Sequence, residues 1–257
     1  MAANTPKQTA LITGAAIRVG AAMARALAAD GWHVAINYHQ SPCDAASLLV
    51  EIQENGGGGH LVPGDLRDQS VVKNLITSAA KDAPPLKLLV NNASLFQMDR
   101  ALTMSLESWE DHHAVNLRAP IFLARDFANH LTDGRTGVVV NLLDNKMFAL
   151  NSDFFSYTIA KYGLLGATKV LATELAPKVR VCGIAPGITL PSKNQSQTRF
   201  QAAHSLNPMG KGATLDQLIA ALRFILSTPA MTGEVITIDG GQSLVGMPRD
   251  ISLMAEE

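Results

Sequence analysis

Cysteine is scarce in this 257-residue chain: Cys43 and Cys182 lie far apart and outside any CxxC spacing. That excludes a disulfide framework or a zinc knuckle and fits a reducing compartment. An excess of charge of one sign is also missing. The formal charge of -1 leaves no electrostatic footprint for nucleic acid or an anionic membrane. No apolar run approaches the roughly 18 residues of a membrane span, and "MAANTPKQTALITG" has no basic region followed by a long apolar one. A cytoplasmic location is therefore expected. No Pro/Gly/Ser-rich linker and no internal repeat divides the chain, so residues 1–257 are expected to form one domain. With 47% hydrophobic and 17% charged residues, that domain has a substantial core.

Short apolar runs alternate with stretches of helical period. "TALIT" (9–13), "HVAIN" (33–37), "HLV" (60–62), "KLLV" (87–90), "GVVVNLL" (137–143), "VRVCGIA" (179–185) and "EVITID" (234–239) read as strands. Several lack polar alternation, as strands covered on both faces must. Val19, Met23, Ala26 and Leu27 recur at helical spacing before Asp30-Gly31, a helix stop. The repeated alternation implies βαβ crossovers and an α/β fold, a Rossmann-like doubly wound parallel sheet of about seven strands with helices on both faces. The glycines at 56–59 read as a helix-to-strand turn.

"TGAAIRVG" (13–20) follows the first strand and opens the first helix. Gly14 suits a tight turn, Gly20 allows close approach, and a helix N-terminus offers unpaired N–H groups to a pyrophosphate. An NAD site places an acid about 20 residues on, to meet the ribose 2′-hydroxyl. Here the second strand ends in "NYHQS" (37–41) with no acid. Arg18, with Ser41 or His39, would welcome a 2′-phosphate, which favours NADPH over NADH. Arg18 as a solvated helix-start residue is the alternative.

Tyr157 and Lys161 stand four apart on one predicted helix and share a face. An ammonium within about 4–6 Å lowers a phenol's pKa by about 1–3. That makes Tyr157 a candidate proton donor. His112 and His113, beside Trp109, lack a further ligand at metal spacing and read as helix surface, so no metal is assigned. Met147 and Phe148 fit core packing as well as a site.

Taken together, "TGAAIRVG", "GDL" (64–66), "NNAS" (91–94), "VNL" (115–117), "YTIAK" (157–161), "APG" (185–187) and "TG…DGG" (232–241) resemble the short-chain dehydrogenase/reductase family from end to end. The resemblance implies that Tyr157 gives the proton, Lys161 binds the nicotinamide ribose and lowers the Tyr pKa, and Asn116 holds a water in the relay. It also implies a cofactor cleft of Gly14, Arg18, Val19, Gly20, Tyr38, His39, Ser41, Asp65, Leu66, Asn91, Ala93, Pro186, Gly187 and Ile188, with Asp65 facing the adenine. A homotetramer is implied as well.

Two departures refine this. Arg18 stands where the family's second glycine is usual, and Asp144 where its catalytic Ser is. Together with "NNASLF", they resemble the pteridine reductase branch, in which Ser94 and Phe96 would contact the pterin and Phe96 would stack on it. A Ser hydroxyl suits a carbonyl that gains negative charge, whereas an ionised Asp can only accept. A pterin takes hydride at carbon and a proton at nitrogen, beside N–H donors that a carboxylate can accept from. Asp144 and Tyr157 together are then the expected proton source; the alternative is that Asp144 only caps the following turn. The expected function is NADPH-dependent reduction of a dihydropterin or dihydrofolate. The alternatives are reduction of another carbonyl or imine and a catalytically inactive NADPH sensor. The polar stretch around 188–212 is expected to form a substrate lid, with Leu190 and Pro191 touching substrate.

Overall fold

The computed structural model describes residues 6–132, 134–192 and 195–254. All seven apolar runs are strands: β1 (Thr9–Ile12), β2 (His33–Tyr38), β3 (Gly58–Pro63), β4 (Leu86–Asn91), β5 (Gly137–Leu142), β6 (Val179–Pro186) and β7 (Val235–Ile238). Every neighbouring pair is parallel, in the order β3-β2-β1-β4-β5-β6-β7. Parallel neighbours need crossovers. These are supplied by α1 (Arg18–Ala29), α2 (Pro42–Glu54), α3 (Gln69–Ala80), α4 (Leu106–His113), α5 (Ala119–His130), α6 (Phe155–Glu174), α7 (Gln197–Ser205) and α8 (Leu215–Ser227). Two short helices, α9 (Gln242–Val245) and α10 (Ile251–Met254), follow β7.

Alternate residues of each strand feed opposite cores. Ile12, Ile36 and Val90 meet Met23, Leu27, Leu48 and Ile225 on one face. Leu11, Leu89, Val139 and Val181 meet Leu75, Leu123 and Phe127 on the other. Burial on both faces explains why these strands lack polar alternation. The expected glycine turn is shorter than 56–59, because Gly58 and Gly59 already pair with β2.

Strand order reverses at β1, with β2 to one side and β4 to the other. The loops after β1 and β4 part there and leave a crevice at the carboxyl edge, where ligands of open α/β sheets bind. Within the expected lid, α7 occupies Gln197–Ser205, while Lys193 and Asn194 lie outside the described residues. Among the described residues no helix is long and apolar enough to cross a membrane.

Candidate active site

The turn between β1 and α1 forms one wall of a cavity of about 540 Å³. Gly14 has a φ of +61°, and a Cβ there would lie 2.9 Å from Ala93 Cα. A Cβ on Gly20 would meet the Gly14 carbonyl oxygen at 2.4 Å. Both glycines are thus required by close backbone approach. The Ile17 N-cap makes no side-chain cap bond, and the first turn of α1 carries no acid. Its orphan N–H groups and positive dipole end therefore remain available to an anion, the property a pyrophosphate needs.

Along the same cavity lie Arg18, Val19, Tyr38, His39, Ser41, Asp65, Leu66, Ala93 and Ser94. Ser41 caps α2 without spending its side chain there. Asp65 is held by Arg67, whose Nε and Nη2 donate to Oδ2 at 2.9 and 2.8 Å. That guanidinium, outweighing burial, holds the Asp65 carboxyl below its usual value.

Arg18 has an unusual backbone and a partner distant in the chain. It adopts the left-handed φ of +56° that a glycine would take, at a cost of about 1–2 kcal/mol. Its guanidinium Nη1 donates to the Pro191 carbonyl at 2.8 Å. It therefore reaches the lid from the cleft that Tyr38, His39 and Ser41 also line. Pro191 is engaged through its backbone.

At the centre of the site, Tyr157 Oη donates to Asp144 Oδ2 at 2.7 Å. Asp144 Oδ1 accepts from Lys146 N at 2.8 Å and caps a 3₁₀ turn, Asn145–Phe148. Capping and contact with Tyr157 are thus not alternatives, because the carboxylate does one with each oxygen. Burial, against the bond from Tyr157, raises the Asp144 pKa above its usual value.

The expected lowering of the Tyr157 pKa is reversed. Burial first, then the adjacent Asp144 charge, push it well above 10, an effect that the Ser94 side chain partly offsets. Lys161 Nζ donates to the Leu142 carbonyl at 2.5 Å and lies 5.8 Å from the Tyr157 ring centroid, over the ring and, among the described residues, with no bond to the phenol oxygen. Burial lowers its own pKa to about 8 against the attraction of Asp144. The outcome is a neutral Tyr157 whose hydroxyl donates to a buried Asp144 carboxyl.

The loop after β4 is braced from several sides. Asn116 lies in a π-helical turn, Ala114–Arg118, where such irregularities often mark function. Its Nδ2 donates to Leu95 O at 2.8 Å, and its Oδ1 accepts from Leu95 N at 2.9 Å. Asn116 therefore fixes this loop by its side chain. His112 is fully buried, not helix surface: Nδ1 contacts Ser108 O at 2.7 Å, so Nε2 is left to accept from Gln97 N at 3.2 Å. Asp99 accepts from Ser156 N at 3.0 Å and so caps α6, the helix of Tyr157, from outside. Asn92 Nδ2 ties the loop to the phosphate turn through Thr13 O (2.8 Å) and Gly14 O (3.0 Å). The "NNAS" run signalled a role for this region, but nothing in it distinguished Asn92 from Asn91.

Asn91 does not line the cleft. It is buried beneath it, its Nδ2 donating to Asn141 Oδ1 at 2.8 Å.

A second cavity, of about 130 Å³, opens beside Asp144 and is lined by Phe96, Asn145, Lys146, Gly187, Ile188, Ser192, Gln242, Met247 and Asp250. Phe96 is 43% exposed, stacked on Phe154 (centroids 3.9 Å apart) and edge-on to Tyr157 (4.7 Å). One ring face is therefore already covered, leaving the exposed remainder for a ligand. Pro186 ends β6 and, like Leu190, is not among the residues lining either cavity; Ile188 and Ser192 are the lid residues there. Met147 is buried, while Phe148 is exposed. Among the described residues no group of three or more His, Cys, Asp or Glu could hold a metal ion.

The "short chain dehydrogenase" family model matches residues 8–202. A solved structure, FolM alternative dihydrofolate reductase 1 from Brucella canis complexed with NADP, is 37% identical with a TM-score of 0.91, over 98% of this chain and 100% of that one. A short chain dehydrogenase from Burkholderia cenocepacia in complex with NADP is 29% identical with a TM-score of 0.85, over 93% and 98%. A 3-oxoacyl-[acyl-carrier-protein] reductase from Synechocystis is 29% identical over 91% of this chain and 96% of its own. With a doubly wound sheet, a glycine turn at its switch point and a Tyr157–Lys161 helix beside the cleft, the chain belongs to the short-chain dehydrogenase family of oxidoreductases.

Proposed function

We propose that this protein is an NADPH-dependent reductase of a dihydropterin or dihydrofolate ring. The observation that carries the proposal is the 2.7 Å bond from Tyr157 Oη to Asp144 Oδ2 at the edge of a cavity that Phe96 also lines. A carbonyl substrate gains negative charge on oxygen, and the Asp144 carboxylate beside the phenol opposes that charge. A ring C=N instead takes a proton at nitrogen and is flanked by N–H donors, to which a carboxylate is complementary.

The orphan N–H groups of α1 and the two close-approach glycines fit a dinucleotide pyrophosphate. His39 and Ser41, lining the same cleft where β2 ends without an acid, suit a 2′-phosphate, while the nearby Asp65 is paired with Arg67. NADP complexes of the Brucella and Burkholderia relatives support this choice. When bound, NADPH supplies the hydride. Tyr157, kept neutral by burial and by Asp144, holds the proton destined for the ring nitrogen. Asp144, with its pKa raised by burial, orients the phenol and resupplies it. Lys161, anchored on Leu142, holds the cofactor ribose, and Ser94 and Phe96 border the ring.

The likeness to the 3-oxoacyl reductase favours a second reading, reduction of a carbonyl. One assay separates the two: NADPH oxidation with dihydrobiopterin, dihydromonapterin, dihydrofolate and a β-ketoacyl thioester, in wild type and Asp144→Ser. Pterin turnover that collapses in the variant is expected. Turnover of the thioester alone would refute the assignment, and no turnover of any substrate would leave a cofactor-binding protein. Exposed Ile159, Tyr162 and Val170 on α6 offer an apolar face for a second copy of the chain, and light scattering tests whether the assembly is a homotetramer.

A further inference from the structure

Asp153 has no exposed surface, yet its carboxylate is ionic on both oxygens. Arg100 Nη2 donates to Oδ1 at 2.6 Å; Arg249 Nε and the Asp250 backbone N–H donate to Oδ2 at 2.7 and 2.8 Å. Lys146 Nζ adds a bond to the Asp153 carbonyl at 2.7 Å and another to Asp250 Oδ2 at 3.1 Å. Three segments distant in sequence are tied here: the loop after β4, the turn that begins at Asp144, and the chain after α9. The last of these contributes Met247, Asp250 and Ile251 to the wall of the cavity beside Asp144 and Phe96. Asp153, Arg100 and Arg249 are not among the residues lining that cavity.

A buried ion pair adds little net stability over apolar packing of the same shape, because desolvating its charges offsets their attraction. What it enforces is a unique arrangement. Apolar contacts alone would hold the short α10 in many poses, whereas the Arg249 Nε–H and the Asp250 backbone N–H, both on Oδ2, fix residues 249 and 250 relative to Asp153.

We propose that Asp153 is a positioning residue that fastens the C-terminal segment over the active site, making residues 247–251 the outer wall of the substrate pocket. This rests on that cavity being the substrate pocket under the function proposed above. The knot lies away from the cofactor turn, so its loss should be felt by substrate and not by NADPH.

The test uses the full chain with Asp153→Asn and, because Asp153 is buried and its variant could misfold, Arg249→Met, whose side chain is 49% exposed. Each variant is expected to raise KM for dihydrobiopterin about ten-fold, the equivalent of one lost charge-assisted contact, while kcat and NADPH affinity stay within about two-fold. Arg249→Lys should restore part of KM. The two substitutions combined should cost little more than either alone, since both cut one connection. Hydrogen exchange gives a reading independent of turnover: the Asp250 and Leu253 amides should exchange faster in Arg249→Met, with α6 unchanged. Faster exchange with unaltered KM would overturn the wall assignment, and unaltered exchange would overturn the fastening. If the wild type reduces no dihydropterin, the substrate reading falls, while exchange at Asp250 still decides the fastening.

Discussion

Lys161 brings an ammonium into a position that is only 2% exposed, and burial depresses its pKa from 10.5 to about 8. Between those two values the unfolded chain binds more protons than the native one, so stability rises with pH through that window. From about pH 7.5 to about pH 9.5 the expected gain is about 2 kcal/mol. For a chain of this size that is a rise in Tm of roughly 4–8 °C. Activity should run the other way, with kcat/KM falling above about pH 8 as Lys161 loses the charge that holds the ribose. Two groups oppose the stability trend. Burial raises Cys182 above 9.0 and Tyr157 above 10.0, so the unfolded chain loses those protons first. The informative quantity is therefore the difference in Tm between wild type and Lys161→Met, measured by calorimetry across this range. A difference that stays flat refutes the buried ammonium, and a kcat/KM with no alkaline decline refutes its part in the reaction.

Gly20→Ala drives a methyl to 2.4 Å from the Gly14 carbonyl; affinity for NADPH, measured by titration calorimetry, should fall at least about ten-fold. His112→Phe keeps a buried ring but leaves the Gln97 N–H without its acceptor, costing about 1–3 kcal/mol in urea unfolding and raising KM through the Phe96 loop. His33 and His60 face each other at 2.9 Å, and burial holds both pKa values below 6.5. Since the unfolded chain then protonates first, stability is fully present above about pH 6.5 and is lost as pH falls below it. His60→Gln should flatten that acid slope in denaturant melts, and an unchanged slope would exclude the pair as its source.

Much of the architecture is a local matter. Continuous apolar runs such as "GVVVNLL" cannot be solvated on either face, so strands buried between helices follow from the residues alone. The requirement for glycine at 14 and 20 comes from backbone proximity that every strand-to-helix phosphate turn of this kind repeats, and Tyr157 and Lys161 share a face by helical geometry. The sequence also determined that Asp144 stands where a hydroxyl is usual. Tertiary structure decided what these groups do to one another. Whether Lys161 lowers the Tyr157 pKa depends on a distance and a dielectric, and folding sets the ammonium on Leu142 and the phenol on Asp144. Arg18 points to Pro191 because the lid lies within its reach, a fact 173 residues away in the chain. His112, Asp99 and Asn92 bear no periodic signal, since their partners are single backbone groups that only packing brings near. The same holds for Asp153: no spacing rule links residues 100, 153 and 249. A buried carboxylate must find its cations wherever the fold delivers them, and sequence separation carries no information about that.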